Sequence, residues 1–198
     1  MSIDAIDIIT VGLGGDSRLD FTPDRHITVG PTRDLPLCFL ASEHASIREF
    51  LRTFDRARNA NNLNAGALDV LVLRSRRSTL ELTDREAKLV ALLEKQPLPA
   101  ASAAQALDLA SPILLPLSRL EACGMVQRSA LTPTDLLHVN GQFTRWDPEA
   151  ARWALECFAA MYGRPADEVL KMALDAVTRR LFDEIVRREA SFDDARFH

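Results

Sequence analysis

The hydrophobic pattern of the chain changes its period near residue 82, and this change limits the fold more than any other feature. Before it, apolar residues come in short β-branched runs at residues 6–11, 26–29 and 68–73, which is typical of strands. After it, they recur at the three- and four-residue spacing of helices. The sequence therefore predicts a mixed α+β fold, with a small β-sheet in the first 75 residues and helices beyond.

Two local signals add detail to the first part. Gly30-Pro31 punctuates the chain, so the strand at residues 26–29 is expected to end there. Ser46 can cap a helix, and apolar residues at helical spacing extend that helix to about residue 59.

Three short helices are predicted between residues 82 and 130. Thr83 and Glu86 have the spacing of a capping box at the start of the first helix. An alanine-rich second helix and a third that ends at Gly124 follow. Together with a short hairpin, this segment resembles a winged helix-turn-helix. The predicted parts of the chain are residues 1–81, residues 82–130 as an insertion, and residues 131–198.

The last third is predicted to be helical and to pack back on the first part. Asp147 can cap a helix that begins at Pro148, and a longer helix should follow from Pro165. The residues expected on the buried side of that longer helix are Val169, Met172, Val177, Leu181, Ile185 and Val186.

The composition of the chain indicates where the protein functions and which classes of partner it does not attract. The 198 residues, 47% hydrophobic and 26% charged, suit one core or two small ones. A net charge of -4 gives no general attraction to nucleic acid or to an anionic membrane. The three cysteines form no Cys-x-x-Cys pair and are predicted to be buried thiols. No signal peptide or membrane span is evident, so a cytoplasmic location is expected.

The most informative string, Gly-Leu-Gly-Gly-Asp-Ser, runs from Gly12 to Ser17. Gly12, Gly14 and Gly15 would let successive backbone N–H groups converge on an anion such as phosphate. Asp16 could hold Mg²⁺ or a water molecule beside that phosphate, and the Ser17 hydroxyl could donate to it. The alternative is a plain glycine-rich turn in which Asp16 bonds its own backbone.

A second string, residues 131–139, reads Leu-Thr-Pro-Thr-Asp-Leu-Leu-His-Val. Its Thr-Pro-Thr-Asp run favours a turn, and Thr134 or Asp135 can cap a short helix. His138 falls on the apolar side of that helix. It is either a core histidine with its hydrogen bonds satisfied or a general base or metal ligand.

These strings belong to a wider resemblance to the hydantoinase/oxoprolinase family of the actin-like ATPase superfamily. Residues 8–17, Gly30-Pro31, residues 132–141 and residues 146–152 resemble, in that order, landmarks of the C-terminal ATPase half of N-methylhydantoinase A-like proteins. The commoner loop of that family has a third glycine where this chain has Asp16, so the chain resembles a Gly-Gly-Asp-Ser subfamily. The winged-helix segment lies where better-known members have a shorter connection.

The resemblance implies a partial actin-like ATPase domain in an enzyme that couples ATP hydrolysis to the opening of a cyclic amide, such as a hydantoin or oxoproline. The residues that would bind the nucleotide come from both strings: Gly12, Gly14, Gly15, Ser17 and Thr134. Asp16 and Asp135 would be catalytic, and Asp16 would also hold Mg²⁺.

The resemblance also implies that the chain is part of a longer enzyme. An Asp-x-Gly-Gly-Thr phosphate loop is expected upstream and a glycine-rich adenosine-binding segment downstream, and this sequence contains neither. The expected partners are the remainder of that parent chain and either a second copy or a second hydantoinase subunit. ATP and Mg²⁺ are expected cofactors of the parent, without tight binding to this chain alone.

Two functions of other classes stay open. One is a ligand-sensing regulator that binds DNA through its winged helix. Residues 83–128 carry five basic and five acidic residues, and such a neutral module disfavours nucleic acid as a partner. The other is a non-catalytic interaction module, in which the third helix would pack on protein.

Overall fold

The computed structural model describes residues 14–76 and 81–195, and its elements confirm the mixed α+β fold. Within these ranges the chain forms eight α-helices, two short 3-10 helices and six strands in two sheets. The predicted strand at residues 6–11 and the predicted phosphate ligand Gly12 lie outside the described residues. No helix in the described ranges is long and apolar enough to cross a membrane.

A two-stranded antiparallel sheet begins at the end of the glycine string. Its strands are β1 (Ser17–Phe21) and β2 (Ile27–Arg33). The prediction that this second strand ends at Gly30-Pro31 is wrong. Leu19 pairs with Val29 but Ser17 pairs with Arg33, so two extra residues of β2 form a bulge and the ladder resumes beyond it.

A four-stranded sheet separates two hydrophobic cores. In chain order its strands are β3 (Leu35–Pro36), β4 (Val70–Leu73), β5 (Leu98–Pro99) and β6 (Val126–Ala130). Their order across the sheet is β3-β6-β4-β5. β6 runs parallel to β3 and antiparallel to β4, and β5 is antiparallel to β4.

The side chains of β4 alternate between the two cores. Val70 and Val72 pack in the larger core and Leu71 packs in the smaller one. The helices of the larger core are α1 (Leu37–Glu43), α2 (Ala45–Thr53), α6 (Pro133–Val139), α7 (Pro148–Tyr162) and the first half of α8 (Ala166–Ala195). Those of the smaller core are α3 (Asp84–Leu93), α4 (Ala100–Ala106) and α5 (Ser118–Ala122). A strand covered on both faces suits the uninterrupted apolar sequence of β4.

Local signals set several helix ends as predicted. The helix predicted to be capped by Ser46 and to reach residue 59 instead begins after His44 and ends at Thr53. Thr83 and Glu86 form the capping box of α3. The Asp147 side chain accepts hydrogen bonds from two N–H groups of the first turn of α7. Gly124 and Gly163, with φ of 69° and 79°, follow the ends of α5 and α7 in the left-handed conformation that glycine favours.

The segment predicted as a winged helix-turn-helix keeps its three helices but lacks the hairpin. Its strand β6 pairs with β4 and β3, which lie outside the segment, so the prediction of a hairpin within residues 83–128 is wrong. The third helix is also shorter than predicted. A 3-10 turn (Pro112–Leu114) comes first, and α5 begins only at Ser118, because the ring of Pro116 prevents one continuous helix.

The predicted buried side of α8 is correct only in its first half. Val169 is buried, whereas Leu181, Ile185 and Val186 are exposed. The elements that cover the first half are α7, β2 and α6, and none of residues 178–187 is buried. The sequence shows that apolar residues continue into the second half of α8, but it does not show where the elements that pack on this helix end.

Candidate functional site

The two strings singled out in the sequence contact each other directly. The carbonyl oxygen of Gly15 accepts hydrogen bonds from Thr134, from the backbone N–H at 3.0 Å and from the side-chain hydroxyl at 2.7 Å. Leu19 N–H donates to Leu131 O at 2.9 Å and extends the contact into β1. The glycine loop therefore rests on the start of α6, although the two strings are far apart in sequence.

This contact explains why residue 15 is a glycine. A Cβ atom built there would lie 2.6 Å from Thr134 Oγ1, closer than a carbon and an oxygen can approach. At Gly14 the nearest atoms to such a Cβ belong to the Asp16 and Arg33 side chains, at 3.1 and 3.4 Å, which can rotate away. Close approach of the two segments, rather than an unusual backbone angle, requires glycine at position 15.

The glycine loop is a tight turn, and two of its N–H groups have no partner among residues 14–76 and 81–195. Gly14 N–H donates to Ser17 Oγ at 2.9 Å, and Ser17 N–H donates back to Gly14 O at 3.1 Å. Within the described residues, the N–H groups of Gly15 and Asp16 have no hydrogen-bond partner. Gly15 is exposed and Asp16 is half-buried, so these two donors could receive an anion from solvent.

Asp16 lies at the surface beside a cation. Its Oδ1 is 3.4 Å from Nε of Arg33, and both side chains are about half exposed. In the described part of the chain, no group of three or more His, Cys, Asp or Glu residues is placed to hold a metal ion. Asp16 could thus supply one ligand of a metal site that is completed by other groups.

The side chains of Ser17 and Thr134 form hydrogen bonds to the backbone of the glycine loop. Ser17 is fully buried and its hydroxyl oxygen accepts from Gly14, while the Thr134 hydroxyl donates to Gly15. Both hydroxyls are therefore engaged with the backbone of the loop. Their geometry fixes the shape of the loop rather than presenting an oxygen to a phosphate.

Asp135 is a buried cap shared by two helices. Its Oδ2 accepts from Thr132, from N–H at 2.8 Å and Oγ1 at 2.9 Å, and its Oδ1 accepts from Cys38 N–H at 2.7 Å. These donors begin α6 and α1. Burial raises the pKa of Asp135, against the effect of the Cys38 and Thr132 hydrogen bonds, which favour its charged form. Fully buried, with both oxygens bonded, it has no oxygen open to a metal ion or a substrate.

His138 is a core histidine with its hydrogen bonds satisfied. This was one of the two interpretations that the sequence left open. Trp146 N–H donates to Nε2 at 3.1 Å, so Nδ1 carries the proton and donates to Thr134 O at 2.8 Å. Cys38 Sγ lies 3.6 Å from the same Nδ1. Burial and the nearby charge of Asp135 raise the pKa of the Cys38 thiol, so this pair does not form a reactive thiolate. The prediction of three buried thiols holds for Cys38 and Cys157 but not for Cys123, which is exposed.

A buried ionic network was missed by sequence reasoning. Arg18 bonds Asp34 at 3.1 Å and Asp69 at 2.7 Å, and Arg128 bonds the other oxygen of Asp69 at 2.8 Å and Glu121 at 2.7 Å. Burial lowers the pKa of Arg18, but the carboxylates of Asp69 and Asp34 outweigh this and raise it above its ordinary value. The network ties β1, the start of β4 and β6 together. Its members lie on separate segments, so no local sequence pattern reveals it.

A groove of about 850 Å³ lies over one end of this network. Its polar lining includes Asp69, Glu121 and Arg128. Its apolar lining comes from α2 on one side and from residues 112–117 on the other. The apolar side chains that line it are Phe50, Phe54, Ile113, Leu115 and Leu117. Ten of its twenty lining residues are polar or charged, so the groove suits a ligand that has polar groups as well as an apolar part.

Comparison of the chain with protein-family models, with curated proteins and with solved structures gave no match. The geometry of the glycine loop and of the groove is therefore the basis for functional inference.

Proposed function

We propose that the chain supplies a phosphate-side loop to an ATP-dependent enzyme of the hydantoinase/oxoprolinase type that opens a cyclic amide. One observation carries this proposal: Gly15 and Thr134, from the two strings of the family resemblance, are joined by two hydrogen bonds. The N–H groups of Gly15 and Asp16, which have no partner among the described residues, and the Arg33 guanidinium lie at the same surface, where an anion would find donors and positive charge.

The residues of the loop would have different roles in nucleotide binding. The N–H groups of Gly15 and Asp16 would bind phosphate oxygens, and the Asp16 carboxylate would turn from Arg33 to a Mg²⁺ ion beside them. Ser17 and Thr134 would hold the loop in shape. Gly12 keeps its proposed role in phosphate binding.

The reaction we propose for the parent begins with transfer of the γ-phosphoryl group of ATP to the carbonyl oxygen of the ring, which releases ADP. Water then adds to the carbonyl carbon and the ring C–N bond breaks, which leaves an acyl phosphate and a free amine. A second water molecule hydrolyses the acyl phosphate to a carboxylate and inorganic phosphate. The ring nitrogen takes up a proton. We propose that this takes place in the cytoplasm, where cysteines such as Cys38 and Cys157 stay reduced.

Two measurements test this function. Because a nucleotide site of this kind is shared between several loops, calorimetry on the isolated chain should show no ATP dissociation constant tighter than about 1 mM. In the parent enzyme, Asp16→Ala should lower kcat on the order of 100-fold, as for other charge-stabilising groups. Asp24→Ala is the matched control, since Asp24 is an exposed aspartate in the β1–β2 turn, at the opposite end of the hairpin from Asp16. Micromolar ATP binding by the chain alone, or an active Asp16→Ala parent, contradicts the proposal.

The groove favours a second candidate function, a ligand-binding module without chemistry. A neutral apolar fluorophore such as N-phenyl-1-naphthylamine is a suitable probe. Ile113 lines the groove and is 87% exposed, so Ile113→Asp should weaken binding of the probe at least about threefold. Leu114→Asp is the control, because the neighbouring Leu114 is exposed but does not line the groove. Equal effects of the two variants would count against this function.

DNA binding has less support from the side chains. Arg119, the only basic residue of α5, bonds Glu86 at 3.1 Å and the carbonyl oxygen of Glu81 at 3.1 Å. Arg128 is held in the buried network. A recognition helix needs basic side chains that are free to reach phosphates, and these two are occupied.

A further inference from the structure

The second half of α8 carries an apolar stripe with no cover from the described part of the chain. Leu181, Phe182, Ile185 and Val186 are 45%, 65%, 58% and 45% exposed. Their spacing places them on one face of the helix. At 100° per residue, this face lies nearly opposite Val169 and Ala173, which pack into the larger core. The body of the protein therefore cannot cover the stripe by extending its existing contact with α8.

The centre of this face is exposed within residues 166–187, whose side chains the structure describes, although Leu174 at its edge packs partly against the larger core. Nearer the start of α8, the same face presents Asp167, Lys171 and Thr178, and all three are exposed. A second helix could therefore lie along α8 without meeting the folded body. The four apolar side chains leave on the order of 400 Å² exposed, a patch size that often marks an interaction site.

Charge at one edge of the stripe indicates the occupant. Arg179 and Asp183 border the stripe on the same side, and neither has an ion-pair partner among the described residues. They are one helical turn apart. In an antiparallel pair of α8 helices, the same edge of each helix faces its equivalent. With the two-fold axis beside Leu181 and Phe182, Arg179 of each copy is level with Asp183 of the other.

We propose that the chain forms an antiparallel dimer through the second half of α8, with Leu181 and Phe182 of the two copies at its apolar centre, Ile185 of each copy beside Thr178 of the other, and two Arg179–Asp183 pairs at its edge. In a parallel pair, Arg179 of one copy would be level with Arg179 of the other and Asp183 level with Asp183. The two folded bodies would then lie at the same end of the helix pair. The antiparallel pair separates the bodies. Its interface is smaller than that of a permanent dimer, so the dimer is concentration-dependent, with a dissociation constant on the order of 10–100 µM.

Sedimentation velocity from about 5 to 500 µM tests this on the whole chain. The wild type should pass from monomer to dimer in that range, and Phe182→Glu should weaken association at least about tenfold. Leu114→Glu is the matched control, because Leu114 is apolar and 55% exposed but lies outside α8 and does not line the groove. A wild type that stays monomeric to 500 µM, or equal effects of the two variants, overturns the proposal.

Charge exchange tests the orientation. Arg179→Asp and Asp183→Arg should each weaken self-association about threefold to tenfold, because each places like charges at both edge contacts. An equimolar mixture of the two variants restores opposite charges at both contacts and should associate as tightly as the wild type. The mixture also controls for folding, since misfolded variants would not recover. A mixture no tighter than its components excludes the antiparallel register.

Discussion

At Gly15 the side chain is a single hydrogen atom, and this allows two segments that are far apart in sequence to pack closely. The loop and α6 meet through the Gly15 carbonyl and Thr134, with no room for a methyl group. We expect Gly15→Ala to lower the free energy of unfolding by about 1–3 kcal/mol, the usual cost of overpacking. Urea denaturation followed by circular dichroism measures this change.

Two further variants identify the cause of that loss. Gly14→Ala should change stability by less than about 0.5 kcal/mol, because only flexible side chains lie near its Cβ. In a Thr134→Ala background, the atom nearest to a Cβ at residue 15 would be the Cβ of residue 134 at 3.9 Å, an ordinary contact. Gly15→Ala should then cost little. An equal cost in both backgrounds would show that the Thr134 hydroxyl is not responsible.

At this scale, sequence reasoning identified the two strings but not the roles of all their side chains. The sequence predicted Thr134 or Asp135 as the N-cap of α6, whereas Thr132 is the N-cap and Asp135, three residues later, completes a capping box with it. The other bond of Asp135, to Cys38 N–H, joins residues 97 positions apart and depends on packing. The same holds for Asp69, whose bonds to Arg18 and Arg128 span 51 and 59 positions.

Helix ends are the elements that the sequence predicted best, because a cap is made by residues within one turn of it. The start of α3 at Thr83 and the ends of α5 and α7 at glycines all follow from such signals. The pairing of β6 could not be predicted in this way, because its partners are β3 and β4 and no local sequence pattern selects them. The cover of α8 likewise depends on neighbours that the sequence does not name.

Two glycines at helix ends provide a prediction at the scale of elements. Both Gly124 and Gly163 have left-handed backbone angles, so alanine at either should cost about 1 kcal/mol in conformational strain. A Cβ at Gly124 meets nothing within 4 Å, whereas one at Gly163 would overlap the side-chain amide of Asn61. Asn61 is held by its N–H bond to Ala160 O at 3.0 Å.

We therefore expect Gly163→Ala to lower the free energy of unfolding by at least about 1 kcal/mol more than Gly124→Ala. Thermal or urea denaturation of the two variants gives this difference directly. If both variants lose the same stability, the Asn61 side chain moves aside without cost.

For the whole molecule, the shared sheet predicts that residues 82–130 do not fold alone. Their strand β6 pairs with β4 and β3, and the fully buried Leu71 of β4 belongs to the smaller core. Expressed separately, the segment would leave both edges of β6 unpaired and a gap in that core. We expect no cooperative thermal transition by circular dichroism.

A longer piece serves as the comparison. Residues 68–130 include β4 and with it Leu71, so this piece should keep more helix and show more protected amides by hydrogen exchange than residues 82–130. A sharp transition in the shorter piece would show instead that the segment is an independent insertion, as the sequence alone had suggested.

The alternation along β4 also bears on how the sequence can change over evolutionary time. Val70 and Leu71 are covalent neighbours, yet their side chains face different sets of helices. A size change at Val70 is best compensated by a second change within the larger core, and one at Leu71 by a change within the smaller core, such as in α3. Correlated substitutions among homologues should therefore link each residue of this strand to its own layer and rarely to the residue beside it.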